Sequence, residues 1–414
     1  MFKREELERF VRRGEKSAPP VFVGRERIFD DILTIAGEAW TAENHTLPGV
    51  TRILQGAPGA GKSATLAELE KILTTGTNAP NIPTPRILSV TSSMLEESVP
   101  SVLSRLYTIG GLDPGVWRER GRTFLKGTRE ALDSVSIGGT TFKLSKTDLG
   151  GLEALKSVLP PHRWTASVIV AIDEAQNLPA HPNTPAGILL RALHEGQTGL
   201  PLTLVLTGLG DTVDHAANMG LTRGLTIHMI GALETDDVAQ LMTGFCAHFG
   251  MNCQGFERQL DTLAAPCEGW PRHLHVTLAT LASAALATHG DLRPIDWNHV
   301  RAAAAAGHRR YYQRQQSAEM RRAAALVAAV MRDLQETHRK PDIIDSIRDH
   351  VRQAGADAST RMQIPKDMTP LAFADHLIHR GALQETPDYT ITCPIPSFRT
   401  WLIEEGGLAP DNEP

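Results

Sequence analysis

The chain has 414 residues, 41% of them apolar and 21% charged, with a formal net charge of −5. That is an ordinary globular composition with room for two or three domains. The mild negative charge excludes a global field that draws nucleic acid, so any such site must be local. No run reaches the ~18 apolar residues that a membrane-spanning helix needs.

Residues 1–18 are charged and read as an N-terminal arm, helical or loose. They lack the apolar core of a secretory leader. The four cysteines, Cys246, Cys253, Cys267 and Cys393, show no C-x-x-C spacing. They read as reduced thiols rather than as a disulfide framework or zinc ligands, and the expectation is a cytoplasmic protein.

After Pro19-Pro20, the segment Val21-Phe-Val-Gly-Arg-Glu leads into an amphipathic helix through Ile32, Leu33 and Ile35. Strand-like and helix-like segments then alternate. The strand candidates are Thr51–Gln55, Arg86–Val90, Ser167–Ile172, Leu202–Thr207 and Thr226–Ile230. Most are nearly continuous apolar runs, as in a parallel sheet covered on both faces. Helices between them predict a doubly wound α/β domain. Residues 91–160 exceed a normal crossover, and the alternation from Ser134 to Leu144 around Gly138-Gly139 reads as a β-hairpin insert. From Leu233 to Gly290 the pattern turns helical.

The chemistry begins at Gly56-Ala-Pro-Gly-Ala-Gly-Lys-Ser63, which meets every position of G-x-x-x-x-G-K-[S/T]. It follows the first strand and opens a helix at Ala64, the context in which this motif cradles phosphates. Gly56, Ala57, Pro58, Gly59, Ala60 and Gly61 offer backbone N–H groups, and the following helix adds its positive end. Lys62 reaches the β- and γ-phosphates, and the Ser63 hydroxyl ligates Mg²⁺. The run Val168-Ile-Val-Ala-Ile-Asp-Glu174 is a buried strand ending in two acids. Asp173 fits the metal-supporting acid that phosphoryl transfer requires. Glu174 fits the group that deprotonates the attacking water. Thr207 ends the next strand, where a hydroxyl could bond the γ-phosphate or that water. Guanine-reading motifs are not evident, so ATP is the expected nucleotide.

This ordered set resembles the AAA+ ATPases, and most closely their initiator-type branch of origin-recognition, replication-initiation and transposon-associated ATPases. The resemblance covers about residues 20–290. It implies an α/β P-loop core over 19–231, a helical lid over 232–295, and ATP with Mg²⁺ as ligands. Gly56–Ser63 matches Walker A, Ile172 to Glu174 the Walker B end, and Thr207 sensor 1. Phe22 and Val23 resemble the box that closes over the adenine. Arg223 stands where the family's arginine finger reaches into the neighbouring subunit's site. Arg272, in Glu268-Gly-Trp-Pro-Arg272, resembles sensor 2. Such a site implies ATP-dependent self-assembly into a ring or filament, because heterologous contacts either close or propagate.

Residues 296–408 read as a basic linker helix followed by a winged helix. Leu326, Val330 and Leu334 share one helix face, and Pro341 opens a second helix bearing Ile343, Ile344, Ile347 and Val351. Thr369 caps a third helix that Gly381 ends. Ala382 to Cys393 reads as two short strands about a Pro-Asp turn. Between residues 301 and 380 there are 14 Lys and Arg against 9 Asp and Glu. Arg301, Arg309, Arg310, Arg314, Arg321 and Arg322, with Tyr311 and Tyr312 interleaved, face one acid, Glu319, and Arg309, Arg310, Arg314, Arg321 and Arg322 are the expected contacts to duplex DNA. Glu385 and Asp388 in the wing would repel phosphate. Three uses stay open: a DNA-associated switch of the replication-initiation or transposition-regulator kind; a signalling or antiviral-defence ATPase whose winged helix binds a protein partner; and a remodelling chaperone, which the lack of an obvious aromatic-hydrophobic pore loop after the second strand weakens.

Overall fold

The computed structural model describes residues 1–13, 20–41, 50–75, 83–97, 99–110, 155–156, 164–178, 182–222, 224–334, 338–355, 362–386 and 388–404. The expected hairpin from Ser134 to Leu144, Arg223, and Pro387 of the expected turn lie outside them.

In chain order the first half comprises helices α1 (Arg4–Arg13) and α2 (Glu26–Thr41), strand β1 (Thr51–Gln55), helix α3 (Lys62–Thr75), strand β2 (Arg86–Thr91), helices α4 (Ser92–Glu97) and α5 (Val99–Ile109), strand β3 (Val168–Asp173), helix α6 (Pro185–Gly196), strand β4 (Leu202–Gly208), helix α7 (Thr212–Asn218) and strand β5 (Leu225–Met229). Helices α8 (Thr235–His248), α9 (Glu257–Ala264), α10 (Pro271–Ala287), α11 (Trp297–Gln315), α12 (Ala318–Arg322) and α13 (Ala324–Asp333) follow. The C-terminal part holds strand β6 (His338–Arg339), helices α14 (Lys340–Ala354) and α15 (Pro370–His379), strands β7 (Gln384–Glu385) and β8 (Thr390–Thr392), and helix α16 (Pro396–Glu404). Each of the five strands expected for the core is present within a residue of its expected bounds. The chain forms two compact units, one of Arg25–Gln55 with Lys62–Met229, the other of Met1–Gly24, Gly56–Gly61 and Ile230–Pro414.

The first unit is built on a parallel sheet of order β2-β3-β4-β1-β5. Every residue of β1 and β4 is buried, as is β3 up to Ile172. Strands covered on both faces need such continuous apolar runs. Ile53, Val170, Ile172, Leu204 and Leu206 sit in its main hydrophobic cluster with Leu103, Leu189 and Leu193 from the helices. In-register pairing aligns Leu54 with Thr207 and Ile172 with Leu206, so the carboxyl ends of β1, β3 and β4 finish together.

Arg52 is the exception in this apolar sheet, a buried cation within β1. Its Nε and Nη2 donate to the Asp31 carboxylate of α2 at 2.7 and 2.8 Å. His228 Nε2 of β5 lies 2.8 Å from Asp31 Oδ2. The guanidinium, with His228, holds Asp31 below the usual carboxylate range. A buried charge needs such a partner.

The second unit is helical. Its core joins Leu241, Phe245, Leu260, Leu274, Leu278 and Leu281. Helix α1 belongs to it rather than forming a loose arm: Leu7 and Phe10 are buried, and Phe10 meets Phe245 with ring centroids 5.2 Å apart. Two apolar residues one turn apart on an otherwise charged helix explain this docking.

The expected single basic helix is two. Gln316 adopts an extended conformation that ends α11, and the Ser317 side chain accepts from the Met320 N–H to cap α12. Thr369 accepts from the Ala372 N–H at the start of α15, as its position before Pro370 predicts. Strands β7 and β8 pair antiparallel, and β6 adds to β8 on its other side. That third strand was not legible, because two residues carry no alternation to read.

Candidate nucleotide-binding site

Within the sheet unit, three of the expected residues meet at the carboxyl ends of adjacent strands. Open α/β sheets bind their ligands there. The Ser63 hydroxyl, in the first turn of α3, donates to Asp173 Oδ2 at 2.7 Å. The buried Thr207 hydroxyl, at the end of β4, donates to Asp173 Oδ1. The Glu174 N–H donates to the same oxygen at 2.9 Å. Both carboxylate oxygens of Asp173 are therefore engaged and the rotamer is fixed.

Glu174 has φ +58° and ψ +39°. The left-handed region is unfavourable for a residue with a Cβ, and strain of this kind collects at functional sites. It turns the chain sharply off β3 and leaves the Glu174 side chain exposed. Gln176 Oε1 accepts from the Leu209 N–H at 3.2 Å, and Gln55 Nε2 donates to the Gly210 carbonyl at 3.0 Å. These two amides tie the loop after β4 to the ends of β3 and β1. They were not singled out from sequence, although a glutamine ending a buried strand is a usable signal.

Burial lowers the Lys62 ammonium to about 8, against the opposing pull of Asp173 and Glu174. A cation so placed gains from an anionic phosphate that restores its charge balance. Ala64 follows in the same helical turn.

The loop from Gly56 to Gly61 groups with the helical unit. The Arg272 N–H, in the first turn of α10, donates to the Gly59 carbonyl at 3.1 Å. The Arg272 guanidinium carbon lies 5.8 Å from the centre of the Tyr311 ring. The Tyr311 hydroxyl of α11 donates to the Pro58 carbonyl at 2.7 Å. Tyr311 and Tyr312 are buried. This corrects the expectation that they interleave with arginines on a phosphate-facing surface, since both point inward. Val23 is buried among Phe10, Leu241 and Phe245 in the helical core, while Phe22 is half-buried. Arg301, Arg309, Arg310, Arg314, Arg321 and Arg322 are exposed, and Arg322 pairs with Glu319 at 3.1 Å.

Behind Tyr311, His273 is fully buried, its ring 4.6 Å from that of His308 and edge-on to both tyrosines. Burial, with His308 beside it, pulls His273 down to about 3. His308 Nε2 donates to the His273 carbonyl at 3.2 Å.

Among the described residues, no helix is long and apolar enough to cross a membrane. Nor does any group of three or more His, Cys, Asp or Glu gather as a metal site among them.

The five-stranded parallel sheet with its surrounding helices is an α/β fold with a phosphate-loop motif after its first strand. Solved structures that resemble the chain over most of its length include the Walker-type ATPase of Pyrococcus abyssi, with TM-score 0.45, 16% identity and coverage of 97% of this chain and 96% of that one; the Drosophila ORC bound to DNA, with 0.44, 13%, 97% and 92%; and the Aeropyrum pernix ORC1 protein in complex with DNA, with 0.43, 15%, 97% and 96%. No family model matches the chain, and no curated protein matches it in sequence.

Proposed function

We propose that the protein binds ATP with Mg²⁺ and hydrolyses it, and that ATP-dependent contacts between copies make it a DNA-associated switch. The observation that carries the nucleotide reading is the meeting of Ser63 and Thr207 on the two oxygens of Asp173, next to a phosphate loop. Ser63 and Asp173 offer hard oxygen donors. Few protein oxygens suffice for Mg²⁺, which completes its shell with water and phosphate. Once bound there, the ion neutralises phosphate charge.

In this reading Lys62 and the loop N–H groups bind and orient the phosphates. Thr207 holds Asp173 in its metal-facing rotamer. The exposed Glu174 carboxylate takes the proton of the attacking water. Arg272 answers to the nucleotide of its own subunit, and Arg223 serves the neighbour's site, as the AAA+ resemblance implies. Residues 19–231 form the core, 232–295 the lid, and 296–408 a linker with a winged helix. Replication-initiation-like or transposition-regulator-like work is the use we favour, in the cytoplasm.

The DNA part rests on Arg309, Arg310 and Arg314 of α11 with Arg321 and Arg322 of α12, all of them exposed. A second reading has its own support. Leu371 on α15 is 48% exposed and Tyr389 beside β8 is 74% exposed. Exposed apolar and aromatic side chains favour a protein partner for the winged helix over phosphate, as in a signalling or defence ATPase.

The test is the steady-state ATPase rate with and without duplex DNA at low salt, with Lys62→Ala as the blank. A rate that DNA stimulates supports the switch. A rate that ignores DNA yet rises steeply with protein concentration supports the protein-partner reading. A wild-type rate no higher than that of Lys62→Ala removes the ATPase assignment altogether.

A further inference from the structure

The tip of the phosphate loop is a tight turn over Ala57, Pro58, Gly59 and Ala60. The Ala60 N–H donates to the Ala57 carbonyl at 3.2 Å. Proline fixes its own φ near −65°, and Gly59 has φ +83°. A closed turn with proline second and a positive-φ glycine third is type II. Its relative, type I, differs by a flip of the central peptide, here the one joining Pro58 to Gly59. In a trans peptide the C=O and N–H point in opposite directions. Whatever holds the Pro58 carbonyl therefore sets where the Gly59 N–H points.

The Tyr311 hydroxyl holds that carbonyl at 2.7 Å. In the type I form the carbonyl would turn away and this bond would be lost. Two neighbours constrain the same turn. The Gly59 carbonyl is taken by the Arg272 N–H at 3.1 Å. A Cβ at Gly381, in the turn after α15, would come within 2.2 Å of Pro58 Cδ, so that glycine packs directly on the proline ring.

We propose that Tyr311 is a positioning residue for phosphate binding: its hydroxyl selects the type II form of the loop tip and so directs the Gly59 N–H away from α11, ready for an anion. The proposal rests on the nucleotide reading of the loop. It assigns to a linker-helix tyrosine a role that the motif does not contain. The Gly381 turn packs on the ring of the same proline, so the C-terminal module abuts the residue whose carbonyl Tyr311 holds.

The test uses the full chain and equilibrium binding of a fluorescent ATP analogue. Tyr311→Phe keeps the ring against Arg272 and His273 and removes only the hydroxyl. It should weaken binding about 3- to 10-fold, the usual worth of one hydrogen bond. Tyr312→Phe is the control. Its ring stacks on Phe398 with centroids 5.5 Å apart and makes no bond to Pro58, and its affinity should match the wild type. With ¹⁵N-glycine labelling and no nucleotide present, the Gly59 amide signal should shift in Tyr311→Phe and stay in place in Tyr312→Phe. Either an unchanged affinity or an unshifted Gly59 signal in Tyr311→Phe overturns the proposal. A wild-type chain that binds no analogue would instead overturn the nucleotide reading, and the amide signal would still report on the turn.

Discussion

Acid should destabilise the helical unit through His273, well before most carboxylates titrate. The ring is fully buried and faces His308 and Tyr311 from α11, Arg272 in its own helix, and Ser397 of α16, whose hydroxyl lies 3.4 Å from His273 Nδ1. None of these is an anion. The unfolded chain takes up a proton near 6.5, whereas the folded one resists until about 3. Between those values the unfolded state binds more protons, so stability is full above 6.5 and falls as the pH drops. Linkage over pH 7.5 to 5 gives a loss of about 2 kcal/mol from this group alone. For a unit of this size that is a fall of roughly 4–8 °C in melting temperature. His308 and His376 are also lowered by burial and act in the same direction. The lowered carboxylates of Asp31 and Asp333 contribute mainly below pH 5.

The assay is thermal melting at pH 7.5, 6.5, 5.75 and 5, followed by tryptophan fluorescence, for the wild type and His273→Gln. The variant should start lower, since it loses ring packing, yet lose less on acidification. A variant that loses as many degrees as the wild type between pH 7.5 and 5 would refute the assignment of the acid sensitivity to His273.

Three further outcomes are expected. Glu174→Gln should bind ATP normally and turn it over at least ~100-fold more slowly; single-turnover kinetics at wild-type speed would remove Glu174 as the base. Because Lys62 is lowered to about 8, its charge disappears as pH rises through that value, so ATP affinity should weaken between pH 7.5 and 9, and a titration flat over that range would contradict the burial argument. Asp31→Ala strips Arg52 of both its carboxylate bonds and leaves a buried cation; with Asp31 nearly a third exposed, the cost should be about 1–3 kcal/mol in urea unfolding, and Asp31→Asn should recover part of it.

What was legible in the sequence was chemistry carried by consecutive residues. Gly56–Ser63 matches a phosphate-loop motif that can be read from sequence because its contacts to phosphate would be backbone N–H groups, which need only glycines and a strand–helix context. The Asp173-Glu174 pair is recognisable because an apolar strand ending in acids has few uses. The sheet strands were legible because burial on both faces demands continuous apolar runs. Thr207 was placed from its strand end, and the register of β3 against β4, which pairs Ile172 with Leu206, sets it beside Asp173, within reach of its hydroxyl.

What was not legible depends on pairs that only the fold brings together. Arg52 is 21 residues from Asp31, and His228 is 197 residues from it; a charged residue in a buried strand announces that a partner exists without saying which. His273 and His308 lie on two helices, and nothing in either local sequence tells that their rings face each other. Tyr311 carries the sharpest lesson. In a run of arginines it reads as an aromatic among phosphate contacts. Its helix, however, buries the face bearing Ala304, His308, Tyr311 and Tyr312 and exposes the face bearing Arg309, Arg310 and Arg314. The 3.6-residue period separates the two sets. Charge and aromaticity thus serve opposite faces of α11, and each set can be altered without touching the other. Charge reversal at Arg309, Arg310 and Arg314 should therefore weaken duplex binding and flatten its salt dependence by roughly one unit of slope per lost phosphate contact, while leaving ATP affinity at the wild-type value. Loss of ATP affinity in that triple variant would mean that the two faces are coupled through the helix and that the separation argued from its periodicity is wrong.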